Sequence, residues 1–192
     1  VVVGAPSATQ STATVPAGTS GSVTTIAVQA KDAQGNLRTT TSGTVTVSVT
    51  GANTAPGAVT DIGDGTYTAT YTPTATGTDY VAIRLGGTSI SGSPYTSVVG
   101  SGGLDHFTVT NTSNSSIVTQ TAGTSLTIRI RAKDAGNNDV TSFIGTVDLT
   151  STSAFVTGGG TTAAFVGGTL DVPVTLGTAG AGQTITATLT SA

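Results

Sequence analysis

Residues 61–95, DIGDGTYTATYTPTATGTDYVAIRLGGTSISGSPY, leave this chain little choice but antiparallel sheet. Asp64-Gly65 separates two strand-like segments, and Asp-Gly suits a tight hairpin because glycine reaches positive φ without steric cost. From Thr66 to Tyr71 the residues alternate, with Tyr67, Ala69 and Tyr71 on one face and three threonines on the other. A period of two describes a half-buried strand. Pro73 and Gly77 mark a corner, Val81, Ile83 and Leu85 form a second inward face, and Gly86-Gly87 turns the chain again. Upstream, Ile26, Val28 and Ala30 alternate with Ala27 and Gln29, and Val45, Val47 and Val49 alternate with Thr46 and Ser48, giving two more strands.

Composition supports the same class. All nine acidic residues are Asp, and the helix-favouring Glu is absent, while Thr, Val, Ser and Gly dominate. Helix content near nil is expected. With no Cys, disulfides and thiolate metal sites are excluded, so packing alone must hold the fold. Charged residues make up 8% of the chain and the net charge is -3, which offers no electrostatic basis for nucleic acid or an anionic membrane. No apolar run approaches the roughly 18 residues that span a bilayer, so no membrane insertion is expected. Val1 opens the chain without Met or a signal-like segment, as expected of a mature or excised piece. A disordered mucin-like stalk is disfavoured by the clear apolar periodicity.

An internal repeat sets the domain organisation. AGTS occurs at 17–20 and 122–125, AKDAQGN at 30–36 is matched by AKDAGNN at 132–138, and GTV occurs at 43–45 and 145–147. The last two motifs are both offset by 102 residues, the length of one small sandwich. Two modules are expected, residues 1–100 and 101–192, joined at Gly100-Ser101-Gly102-Gly103, a connector too short to let them wander far. In the second module Phe107 and Val109 begin the plan. Leu126, Ile128 and Ile130 form its first strong core strand, then Val147 and Leu149, then Leu170, Val172, Val174 and Leu176, and finally Ile185, Ala187 and Leu189. Pro173 cannot donate to a ladder, so its strand is expected at an edge or with a bulge.

In the first module, DIGDGTYTATYTPTATG followed by LGG and ISGSPY resembles a filamin repeat: acidic turn, tyrosine strand, corner, and Gly-Ser-Pro-aromatic final strand. One departure is Asp79, where the family places a core tyrosine, with Tyr80 one position later. The AKDAQGN and AKDAGNN segments with their GTV strands, and the second module's GTLDVPVTLGTAGAGQTITATL, resemble invasin-like Ig-like repeats of bacterial surface proteins. The fold implied is all-β, two tandem immunoglobulin-like β-sandwiches of about seven strands each, from an extracellular or cell-surface bacterial protein.

The filamin resemblance also implies a peptide-binding edge. Carried onto this chain it comprises Gly43, Thr44, Val45, Thr46, Val47, Ser48 and Val49, with Ala58 to Asp61 beside them. Strand addition there would draw affinity from backbone hydrogen bonds and leave little trace in sequence. A plain solvated edge is the competing reading.

Other candidates are weaker. His106 follows Asp105, but neighbours on a strand point to opposite faces, so a carboxylate-oriented base is not expected. One histidine without cysteine cannot complete a tetrahedral metal site. Calcium has a better case, with Asp61 and Asp64 in a glycine turn and Asp32, or Asp134 with Asp139, in strand-end loops. Turn chemistry explains the same residues, so no cofactor is the primary expectation. Carbohydrate binding would need exposed rings. Tyr67 and Tyr71 point to the core, leaving Tyr80 and Tyr95. Arg129, Arg131 and Lys133 form a short basic face, and Lys31 and Lys133 are expected to be exposed, without the adjacent Glu that resembles an isopeptide site. Asn111-Thr112-Ser113 and Asn114-Ser115-Ser116 are acceptor-like sequons.

These features point to a non-catalytic segment of a larger bacterial surface or secreted protein, a spacer or adhesin stalk whose partners are neighbouring domains. The alternatives are a recognition module binding an extended peptide or glycan at an edge strand, and an accessory module of a secreted polysaccharide-degrading enzyme.

Overall fold

The computed structural model describes residues 3–190. The chain divides into two compact units, Val1–Gly100 and Ser101–Ala192. Both are built from strands, and among the described residues no helix is long and apolar enough to cross a membrane.

The first unit contains β1 (Pro6–Thr14), β2 (Gly18–Thr19), β3 (Thr24–Asp32), β4 (Val45–Gly51), β5 (Ala55–Pro56), β6 (Ala58–Asp61), β7 (Thr66–Tyr71), β8 (Gly77–Leu85), β9 (Thr88–Ser89) and β10 (Tyr95–Gly100). One sheet runs β1-β3-β7-β6 and the other β2-β10-β8-β4-β5, with β9 paired to β8. The alternating residues converge as their period requires. Ile26, Val28 and Ala30 from β3, Tyr67, Ala69 and Tyr71 from β7, Val45, Val47 and Val49 from β4, and Val81, Ile83 and Leu85 from β8 are all buried in one core. The turn from β6 to β7 takes its positive φ at Gly63 and Gly65, while Asp64 keeps an ordinary backbone. A side chain at Gly65 would also collide with the Arg38 carbonyl.

Asp79 does occupy the inward position of β8. It is fully buried, and Tyr80 is turned out with 49% exposure. Its carboxylate accepts hydrogen bonds from the Asn53 N–H (2.7 Å), the Asn53 side-chain amide (3.1 and 3.2 Å) and the Tyr71 hydroxyl (3.1 Å). Asn53 in turn binds the corner, accepting from Thr74 and Ala75 N–H and donating to the Ala75 carbonyl. A polar knot thus fills this inward position of the strand. Burial of the carboxylate is tolerated because its acceptor sites are filled.

The second unit contains β11 (His106–Asn111), β12 (Ser125–Lys133), β13 (Val147–Ser151), β14 (Phe155–Thr157), β15 (Gly160–Thr161), β16 (Thr169–Leu176) and β17 (Ile185–Leu189). Its sheets run β11-β12-β16-β14 and β15-β13-β17. Ile128, Ile130, Val147, Leu149, Phe165 and Val174 are buried, and Phe107, Phe143 and Phe165 meet with ring centroids 5.0–5.7 Å apart. Pro173 lies in a strand that is internal to its sheet rather than at an edge. The ladder tolerates it because β14 pairs only at Thr175 and Leu176, with a register shift between Phe155 and Thr157. At Pro173 the neighbour is the backbone of Gly158, where any side chain would strike the Pro173 carbonyl.

Candidate functional site

A cavity of about 420 Å³ opens between the two sheets of the first unit, lined by Thr41, Gly43, Thr44, Val45, Val59, Asp61 and Tyr67. It exists because the chain changes sheets between Pro56 and Ala58: β5 closes part of β4, and β6 then joins the opposite sheet beside β7. Backbone groups along a strand face alternate neighbours. The Thr44 carbonyl faces β8, accepting from Gly86 N–H, and the Val47 carbonyl faces outward, accepting from Gly57 N–H at 3.0 Å. Val45 shares Val47's orientation, so its N–H and carbonyl point along the open edge.

Of the residues Gly43 to Val49, Ser48 and Val49 are paired with Pro56 and Ala55, and Val47 is held by Gly57. Gly43 and Thr44 precede the strand, and Val45 and Thr46 begin it. The uncovered stretch is therefore Gly43 to Thr46. β6 faces it across the cavity from the other sheet. The Tyr67 ring forms the floor, its hydroxyl accepting from Ser42 N–H (2.9 Å) and donating to the Gly43 carbonyl (2.8 Å). Asp61 supplies the charged group of the lining, with one oxygen accepting from Gly63 N–H at 2.8 Å. Such a groove can accept a short extended segment by backbone pairing at Val45.

The loop aspartates have turn partners. Asp64 accepts from the Thr66 hydroxyl and N–H, which hold its carboxyl below the usual carboxylate range. Asp32 is buried and receives the Asn36 amide, the Gly4 N–H and the N–H groups of Asn36 and Gln34. These donors, the Asn36 side chain first and Gly4 next, bring its pKa down to about 2. Asp134 repeats the arrangement, accepting from Gly102 N–H (2.9 Å), Asn138 N–H (2.8 Å) and the Asn138 amide. Among the described residues no group of three His, Cys, Asp or Glu is placed to hold a metal ion.

Three expectations need correction. Asp105 and His106 do converge, with Nδ1 2.9 Å from a carboxylate oxygen, because Asp105 precedes β11 and is free of the strand's alternation. Both remain substantially exposed. The basic face of β12 is neutralised: Arg129 forms a two-bond pair with Asp171 at 2.7 Å, and Arg131 and Lys133 both pair with Asp139. Asp171 accordingly lies below, and Arg129 above, its ordinary pKa, each through the other's hydrogen bonds. Lys133 is only 13% exposed and Lys31 is half-buried, so neither is the exposed lysine expected. Tyr95 is also engaged, its hydroxyl accepting from Ala13 N–H and donating to the Ser91 carbonyl. The sequon residue Asn111 accepts from Ser113 and Ser115 N–H within its own turn.

No curated protein matches this sequence significantly. Among solved structures, the Lin-41 filamin domain is 28% identical with a TM-score of 0.43, covering 50% of this chain and 97% of that one. The Escherichia coli adhesin FdeC is 24% identical with a TM-score of 0.55, covering 98% of this chain and 62% of that one. Invasin, a bacterial integrin-binding protein, is 20% identical with a TM-score of 0.54, covering 98% and 38%. The chain thus spans less than two thirds of either bacterial adhesin it resembles in fold. Residues 5–96, the first of its two sandwiches, match the Filamin/ABP280 repeat family.

Proposed function

We propose that this chain is a non-catalytic tandem segment of a larger bacterial surface or secreted protein, serving as a stiff spacer or adhesin stalk. The observation that carries the reading is the repeated aspartate clamp. In each unit a buried Asp of the AKDA motif fastens the chain entering that unit, Gly4 to Asp32 and Gly102 to Asp134. On the other side of the connector, the Gly100 carbonyl accepts from Ser20 N–H within the first unit. Each end of the connector is thereby tied into its own sandwich, which a spacer needs and a free linker lacks. The fold shared with FdeC and invasin supports a place in an extracellular chain of domains. Amide ¹⁵N relaxation on the intact chain tests it. Order parameters near ~0.85 are expected for Ser101 to Gly103, and values below ~0.6 would sink the spacer reading.

The groove at Val45 favours a second reading, recognition of an extended peptide. Titrating an alternating Val-Thr peptide should produce saturable amide shifts confined to Thr41–Thr46 and Ala58–Asp61. A flat titration leaves the groove a solvated edge.

A further inference from the structure

Two adjacent acceptor sequons share one turn of the second unit, and the turn uses one asparagine while presenting the other. Asn111-Thr112-Ser113 and Asn114-Ser115-Ser116 follow one another where the chain leaves β11. Asn111 closes the turn with its backbone: its N–H donates to the Ser115 carbonyl (2.9 Å), and its carbonyl accepts from Asn114 N–H (3.0 Å). Its side chain completes the closure. Oδ1 accepts from Ser113 N–H (2.9 Å) and Ser115 N–H (3.0 Å), and Nδ2 donates to the Ser116 carbonyl (3.4 Å). Arg129, itself paired with Asp171, donates to the Thr112 carbonyl at 2.8 Å and so fastens the turn to β12.

Asn114 stands under the opposite conditions. Its φ of 61° lies in the left-handed region, which asparagine tolerates better than most residues with a side chain. It is exposed, as are Ser115 and Ser116, whereas Asn111 is half-buried. Among the described residues no hydrogen bond engages the Asn114 side-chain amide or the Ser116 hydroxyl.

We propose that Asn114 is an N-glycosylation site and that Asn111 is not. The co-substrate is an oligosaccharide carried on a lipid pyrophosphate, delivered by an oligosaccharyltransferase. Asn114 Nδ2 forms a bond to the anomeric carbon of the sugar, the bond from that carbon to the pyrophosphate oxygen breaks, and the amide proton passes to a base of the transferase. Ser116 supplies the hydroxyl two residues on that such an enzyme reads. Reactivity separates the two sequons. An amide nitrogen becomes nucleophilic only when its conjugation with the carbonyl is relieved, and both ends of the Asn111 amide are held by hydrogen bonds. Drawing Asn111 into a transferase would release the Ser113 and Ser115 N–H groups and open the turn. Asn114 can be taken with the turn intact, and a glycan there adds a bulky hydrophilic group where nothing is packed.

The test incubates the folded, intact chain with a single-subunit oligosaccharyltransferase that requires only Asn-X-Ser/Thr, together with its lipid-linked oligosaccharide. The peptide of residues 109–118, VTNTSNSSIV, serves as the unfolded reference. Fragmentation of tryptic peptide 85–129, which contains both sequons, locates the glycan. Asn114 should carry more glycan than Asn111 by about tenfold or more in the folded chain, because only Asn111 must give up its turn bonds, and the peptide should lose that preference. Ser116→Ala should abolish modification of the folded chain. Ser113→Ala, which removes only the Asn111 sequon, should leave it unchanged, and neither hydroxyl takes part in the hydrogen bonds of the turn. Modification at Asn111, equal modification of the two, or no glycan on the folded chain overturns the assignment.

Discussion

Removing one oxygen from the floor of the first unit's groove should loosen the loop that leads into β4. In Tyr67→Phe the ring still fills its place, but Ser42 N–H and the Gly43 carbonyl lose their common partner. Ser42 is 5% exposed, so its N–H is stranded, whereas Gly43 is exposed and its carbonyl recovers water. A stranded buried donor costs ~1–3 kcal/mol and a resolvated acceptor ~0.5 kcal/mol, for a total of about 2 kcal/mol. For a unit of this size each kcal/mol lowers the midpoint by ~4–8 °C, so the first unit should melt roughly 10 °C earlier. Following resonances of Ile83 and Ile130 separately by NMR during heating distinguishes the two units, and the Ile130 transition should not move. Exchange of the Ser42 amide should accelerate in parallel. A first-unit shift under ~3 °C would refute the assignment of this hydroxyl as the strap holding the loop.

Acid should act through Asp32. Its pKa is depressed from 3.8 to about 2 in the folded chain, so its contribution is complete above the unfolded value and lost as pH falls from 3.8 through 2. Carboxyl chemical shifts should titrate in that window, and Asp32→Asn should flatten the first unit's acid stability profile there. In the second unit Phe165→Ala removes the ring that meets both Phe107 and Phe143. It should cost about 3–5 kcal/mol in urea unfolding of that unit alone. Asp171→Asn opens the Arg129 pair, whose partners are 25% and 40% exposed, and should cost under ~1 kcal/mol, with the difference vanishing at high salt.

Much of the sandwich was legible because its signals are local. A two-residue period places Tyr67, Ala69 and Tyr71 on one face whatever lies opposite, and the glycine turns at 63–65 and 86–87 follow from backbone sterics. The repeat of AKDA and GTV was visible, but its meaning was not. Nothing adjacent in sequence says that Asp32 and Asp134 reach back 28 and 32 residues to the chain entering each unit.

What sequence alone determined, then, is the strand class, the core faces and the tandem repeat, because each depends on neighbours along the chain. Tertiary structure decided how polar groups are matched: Asp79 with Asn53 across 26 residues, and Arg129 with Asp171 across 42. It also decided that an edge stays open at Val45, because β6 crosses to the opposite sheet. A side chain's facing follows from local geometry, whereas hydrogen-bond partners and covered edges depend on which distant segments loop closure brings together.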